Sequence, residues 1–189
     1  MKLVKLGIAS ILTAGALFGA TFNVDKSHSS VNFKVKHMMI SNVNGQFDNF
    51  DGSFEYDEKT NKLTSLKGTV KVSSINTSNA KRDKHLKASD FFAAEQFPEI
   101  TFVVTKVDDD KAFGKLTMRG VTKDVELDLE TSGRTITDPR GNVKVGVTLE
   151  GKINRFDYGI KYNSIIEAGG VAVGETVKLI IELEGNKVK

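Results

Sequence analysis

Few residues of this 189-residue chain could carry out chemistry, and their spacing argues against most of it. The histidines are His28, His37 and His85. Three histidines could hold a catalytic zinc ion. Local ligand pairs usually stand about two to four residues apart, and none of these does. His28 and His37 are an odd number of residues apart, so a regular strand would turn them to opposite faces. His85 sits in "RDKHL", where Asp83 is placed to orient Arg82 or a nearby backbone donor. No metal site is expected. Cysteine is absent, which excludes disulfides, thiol catalysis and cysteine metal sites. The stretch "GGVAVGET", residues 169–176, nearly spells a phosphate-binding loop. Glu175 occupies its lysine position, and the pattern that follows is a strand where the motif requires a helix. It reads as a glycine-rich turn. Asp108-Asp109-Asp110 lacks the spaced acids and the glycine of a calcium loop. No serine stands in a nucleophile elbow and no carboxylate pair stands out, so no catalytic residue and no cofactor are expected.

What remains is binding, and charge narrows it. Lys2 and Lys5 precede an apolar run, Leu6 to Phe18, and then Gly19-Ala20. A basic start, an apolar run and small residues describe a secretory signal over residues 1–20, cleaved after Ala16 or Ala20. The run is too short for a membrane span, which needs about 20 apolar residues. Its removal takes away two lysines and no acid. The 27 basic residues become 25, against 24 acidic. That balance gives no case for nucleic acid, which needs a clustered basic face. An exported, periplasmic protein without an integral span is expected, its domain covering residues 21–189.

The elements that must position any site are strands. Val31, Phe33, Val35 and His37 alternate with Asn32, Lys34 and Lys36. Leu66, Gly68, Val70 and Val72 do the same, as do Ile100, Phe102 and Val104. Val125, Leu127 and Leu129 follow, then Val143 to Ile153, then Val177, Leu179, Ile181 and Leu183. Period two over so many segments predicts half-buried antiparallel strands with one face in water. About eight or nine strands of one all-β domain are expected. They are long enough for a sandwich or a closed barrel, and a barrel of about eight strands is either filled or keeps room for one small ligand.

One segment breaks the rhythm: "AKRDKHLKASDFFAAEQFPEITF", residues 80–102. Ser78 or Asn79 can cap a helix over Ala80–Leu86, and Ser89 or Asp90 a second helical turn carrying Phe91 and Phe92. Pro98 ends the insertion before the next strand. Its phenylalanines either finish the core or cover a pocket.

This segment also carries a resemblance. It and "VDKSHSSVNFKVKHMMISNVNGQFDNFDGSFEYD", "GKLTMRGVTKDVELDL" and "INRFDYGI" are similar to blocks of the YceI-like family of exported bacterial proteins, in the same order. The likeness spans about Phe22 to Gly185. It departs at Phe22, where the family often has tryptophan. The resemblance implies a lipocalin-like antiparallel barrel with a long apolar tunnel that takes a polyisoprenoid or similar fatty amphiphile, and a possible homodimer. The inward stripes then supply its walls: Phe33, Val35, Phe47, Val70, Val72, Phe102, Leu127, Val147, Leu149 and Leu179, with Phe91 and Phe92 as a lid. Arg82, His85, Asn154 and Arg155 are the head-group candidates. Arginine suits phosphate because its planar fork donates two parallel hydrogen bonds. The expected role is carriage, storage or sensing of a lipid in the envelope, without catalysis. The alternatives are a dry-cored envelope stress or interaction protein and an enzyme acting on a bound lipid. An outer-membrane barrel is disfavoured, because the polar face is dense in charge and there is no tryptophan for an aromatic girdle.

Overall fold

The computed structural model describes residues 19–164 and 171–189. The expected export segment up to Phe18, and Gly169-Gly170 of the glycine-rich stretch, lie outside them. The chain forms β1 (Ala20–Val24), β2 (Ser30–His37), β3 (Ser41–Phe47), β4 (Phe50–Asp57), β5 (Lys62–Lys71), β6 (Ile75–Asn76), the helix α1 (Ala80–Leu86), β7 (Glu99–Asp108), β8 (Lys111–Met118), β9 (Val121–Thr131), β10 (Ile136–Thr137), β11 (Val143–Asn154) and β12 (Val173–Lys187).

Eight strands close into an antiparallel barrel in the order β11-β9-β8-β7-β5-β4-β1-β12, and β11 pairs with β12 to seal it. The twelve segments arise because strands are stepped rather than because sheets are stacked. β1 and β2 both lie against β12, with Phe22 opposite Lys187 and Val31 opposite Ile181, so Asp25–Ser29 shifts one long strand by a few residues. β3 and β4 form its stepped neighbour, pairing with β2 and β1 respectively. Each step shifts the inward phase by an odd number of residues, from Phe22 and Val24 to Val31 and Phe33 and from Phe47 to Phe50, so the apolar face stays inward on both sides of it.

Register fixes which turns share an end. The turns at residues 58–61, 109–110 and 132–142 lie at one end with β1's first residue. The hairpin at 38–40, the insertion at 77–98, the turn at 119–120 and the segment following β11 lie at the other. The first end is packed solid. Phe22 and Phe54 stack with ring centroids 5.6 Å apart, Tyr56 meets Phe22 edge-on at 6.2 Å, and all three are buried. Leu127, Val147 and Leu149 fill the space above them.

The step in β1–β2 is clamped by charge. Asp25 accepts from Ser27 Oγ at 2.5 Å, lies 3.1 Å from His28 Nδ1, and accepts from Lys144 Nζ at 3.1 Å. Lys144 also donates to Glu184 at 2.6 Å. The bonds from Ser27, His28 and Lys144 hold the Asp25 carboxyl far below the ordinary carboxylate range. Glu184 and Asp25 hold the Lys144 ammonium above its ordinary value. Asp25, His28 and Glu184 converge as three metal ligands would, but the Lys144 ammonium lies among them and supplies the positive charge.

Candidate functional site: a hollow half-barrel ending on a buried arginine

Above Leu66, Leu149 and Leu183 the barrel is hollow. A cavity of about 180 Å³ runs from there to the insertion end, with almost wholly apolar walls. Two features of the sequence leave it open. Gly52 and Gly68 face each other on β4 and β5, and a Cβ at Gly68 would meet only the Asp51 carbonyl oxygen, at 3.7 Å. Across the barrel, the Phe33 ring leans onto Gly45 of the neighbouring strand, where any side chain would collide with it.

The insertion roofs this space. Asn79 caps α1 by accepting from the Arg82 amide at 3.0 Å. The expected second helical turn is instead a succession of hydrogen-bonded turns, with Phe91 N donating to Ala88 and Phe92 N to Leu86. Ala93, at φ 49°, turns the chain out of helical geometry. Both phenylalanines line the cavity. Phe92 meets Phe47 edge-on at 6.2 Å, and Phe91 packs 4.7 Å from Tyr162. His85 packs edge-on against both, its ring centroid 4.9 Å from Phe91 and 4.8 Å from Tyr162. Its Nε2 lies 2.8 Å from Asp90, and that bond holds the Asp90 carboxyl below its ordinary value. Arg119 ties the roof down, donating to the carbonyls of Gly159 at 2.5 Å and Ser89 at 2.8 Å.

The stretch "INRFDYGI" builds the polar end. Asn154 accepts from the Phe156 amide at 2.9 Å and starts a 3-10 turn over Arg155–Tyr158; Gly159, at φ 74°, ends it. The turn swings Arg155 inward, where only 4% of it is exposed and it lines the cavity. Nε donates to Gly174 O at 2.8 Å, Nη1 to Ile160 O at 2.7 Å and Nη2 to Val173 O at 3.1 Å. The guanidinium carbon lies 4.7 Å from the Phe156 ring centroid. Three of its five N–H groups are thus committed to protein carbonyls. Among the described residues it forms no ion pair with a carboxylate. Burial lowers its pKa, yet an arginine stays charged in a protein.

Phe33, Val35, Phe47, Val70, Phe91, Phe92, Phe102, Leu149 and Leu179 all line the cavity. Val72, Leu127 and Val147, expected beside them, do not. Val72 is buried in the 3-10 turn Val72–Ser74, which ends the β5 alternation. Leu127 and Val147 are fully buried in the core, Leu127 covering Gly151, where a Cβ would collide with its Cδ2. The four head-group candidates also separate. Arg155 is in the cavity wall, whereas Arg82, His85 and Asn154 are not. Arg82 donates to the Thr77 hydroxyl at 2.7 Å and the Thr77 carbonyl at 2.8 Å, and Asp83 accepts from the same threonine, so the pair locks the insertion's first turn. His85 belongs to the aromatic roof, and Asn154 is a cap. Wall residues that alternation did not single out include Phe50, Leu86, Ile160 and Val173.

Residues 22–185 match the YceI-like domain family. A UPF0312 protein of Staphylococcus aureus (strain MSSA476) is 43% identical over 159 residues, 83% of this chain and 92% of that protein. Among solved structures, the Campylobacter jejuni YceI protein is similar with a TM-score of 0.70 at 37% identity, over 87% of this chain and 96% of that one. A polyisoprenoid binding domain from Saccharophagus degradans shares the fold with a TM-score of 0.64 at 15% identity, over 89% and 99% of the two chains. With its eight-strand barrel and a family match spanning nearly all the described residues, this chain belongs to the YceI-like family.

Proposed function

We propose that this chain holds one long-chain amphiphile, of the isoprenoid or fatty class, in the hollow half of its barrel. Its polar head meets Arg155, and its chain lies against Phe33, Phe102 and Leu179 beneath Phe91 and Phe92. The observation that carries this reading is an apolar cavity ending on a buried guanidinium. Burying a charge is costly, and the nearby acid Glu175 is exposed and forms no direct pair with it; an anionic or strongly accepting head group at Arg155 offsets that cost. The tail supplies affinity. Each buried methylene contributes about 0.8 kcal/mol, so roughly twenty carbons contribute well over 10 kcal/mol, against an association cost of about 4–15 kcal/mol. The polyisoprenoid binding of the Saccharophagus degradans domain, on the same barrel, supports the ligand class. No covalent step is part of the proposal. The role is carriage, storage or sensing, and the export signal read over residues 1–20 puts it in the cell envelope.

Native mass spectrometry of the protein purified from its own host tests this. One long-chain lipid per chain is expected, recovered with its head group intact on extraction. A chain that carries no lipid, and whose delipidated form takes up neither a polyprenyl phosphate nor a fatty acid, would overturn the reading.

A further inference from the structure

The hairpin joining β2 to β3 is built against ordinary turn chemistry. Tight hairpins favour asparagine, aspartate and glycine, which tolerate positive φ. Here Met38 and Met39 hold φ of 50° and 63°. With Ile40 they form three consecutive apolar residues in water: Met38 is 40% exposed, Met39 59% and Ile40 84%. On its β3 side the tip has no further strand beside it among the described residues. β6 reaches β3 only at Gln46 and Phe47, so Ser41–Gly45 has β2 as its one strand partner among the described residues. That overhang is about 16 Å at roughly 3.3 Å per residue.

The charges behind the tip have one sign. The whole segment Ser30–Phe47 contains Lys34, Lys36 and His37 and no acid. Both lysines are exposed and lie on the outward face, opposite in sense to Phe33 and Val35. At the same end of the barrel, α1 presents Lys81 and Lys84 to solvent. Of the acids on the insertion, Asp83 is engaged by Thr77, Asp90 by His85 and Glu99 by Lys71; Glu95 is exposed. Glu175, exposed at the start of β12, and Asp157 are the other described acids nearby. The cavity ends close at hand. Val35, three residues before Met38, lines it, as does Val173, whose neighbour Ala172 accepts the Met38 amide at 2.9 Å.

We infer that this hairpin docks the protein on an anionic lipid bilayer. Met38, Met39 and Ile40 enter the boundary between head groups and acyl chains, and Lys34 and Lys36 meet lipid phosphates. The inference rests on the lipid-binding reading of the cavity and adds where the lipid is exchanged. Methionine suits such a tip, being unbranched, flexible and polarisable. Shallow apolar insertion combined with lysines is how surface-bound proteins hold anionic membranes. A second copy of the chain fits the tip less well. Three projecting side chains fall far short of the roughly 1,200–2,000 Å² of a stable protein interface, and a two-fold contact would set the lysines of each copy against those of the other.

The test is cosedimentation of the delipidated mature protein with phosphatidylcholine vesicles, with and without phosphatidylglycerol. It compares wild type with the double variant Met39→Asn, Ile40→Asn, whose side chains suit the turn. Wild type is expected on the anionic vesicles, and the variant is expected to partition at least about tenfold more weakly. A fluorescent fatty acid presented without vesicles should bind both proteins equally. Wild type that stays off both vesicle types would overturn the docking inference, as would a variant that binds them like wild type. A dimer in sedimentation velocity that the same substitutions dissolve, without vesicle binding, would assign the tip to a second copy and overturn it too. Vesicle binding with uptake of neither the fatty acid nor a polyprenyl phosphate would leave docking standing and remove the cavity reading instead.

Discussion

The two ends of this barrel have the same strand pattern and opposite interiors. At the packed end aromatic rings fill the interior: Phe22 contacts both Phe54 and Tyr56, and the Phe54 ring covers the inward Gly185, where a Cβ would collide with it. At the insertion end the inward positions include Gly52 and Gly68, paired with each other, and the apolar side chains around them line a cavity. The packed end also holds the Asp25–Lys144–Glu184 network, whereas the cavity's one buried charge, Arg155, forms no ion pair among the described residues. One half of the barrel is therefore organised for stability. The other gives up packing for an apolar space with a buried guanidinium at its end, near the exposed Glu175 but without a direct ion pair among the described residues.

Substituting phenylalanine on each side of the divide should break the comparison most visibly. Phe54→Ala removes a buried ring from a stack and should cost about 3–5 kcal/mol, the usual loss for a core phenylalanine. Phe92→Ala removes a half-buried ring that already borders a cavity; it should cost about 1–2 kcal/mol and speed release of a bound long-chain lipid. Denaturant midpoints and lipid dissociation rates on both variants measure this. Equal midpoint losses would mean that the roof is core.

The charge network gives a second, pH-dependent contrast. The Asp25 carboxyl titrates far lower in the folded chain than in the unfolded one. Its stabilising effect is complete above the ordinary carboxylate pKa of about 3.9 and fades as pH falls below it, because the unfolded chain takes up the proton first. Asp25→Asn should lower stability at neutral pH. It should also flatten the fall below about pH 4, by up to about 1.4 kcal/mol per pH unit for the one proton removed from the balance. Unfolding free energies of the two proteins across that range provide the check, and parallel slopes would contradict it.

The smallest effect has the opposite sign. Gly68→Ala places a methyl in open cavity space at a position whose φ is not positive. It should stabilise the protein by about 0.4–1 kcal/mol, because alanine has less freedom to lose on folding, while narrowing the site for a chain. A rise in melting temperature together with weaker fatty-acid binding is the expected pair of results.

Much of the fold was legible in the residues. Alternation in Val31–His37, Val125–Leu129 and Val143–Ile153 found β2, β9 and β11, because a strand with one wet face must alternate. The cap of α1 was legible as Ser78 or Asn79, whose side chains compete for the helix's free amides, and the structure uses Asn79. The stepping at Asp25–Ser29 was not, because the change of phase between Val24 and Val31 looks like an ordinary break between two strands, and only their shared pairing with β12 shows them to be one stepped strand. The fate of Phe91 and Phe92 was half legible. Their place over the barrel end followed from an insertion between strands, but the turns that carry them depend on Arg119 reaching Ser89 from another hairpin. Arg155 was marked for its chemistry and not for its burial. The clue available was its bracket, Asn154 before and Gly159 after, which forces a tight turn directly off an inward-facing strand.

Alternation along each strand determines which side chains face inward, because successive residues leave a pleated backbone on opposite sides. That much the sequence carried alone, together with the caps, the turns and the absence of any nucleophile or thiol constellation. It did not carry what stands beside and opposite each inward residue. Leu127 and Leu149 read alike in sequence, and so do Val147 and Val35. Closure of β11 on β12 and the strand registers decide that Leu127 and Val147 are packed while Leu149 and Val35 border empty space. Whether an inward residue becomes core or wall depends on what stands opposite it, and a strand acquires its opposite only when the ring closes.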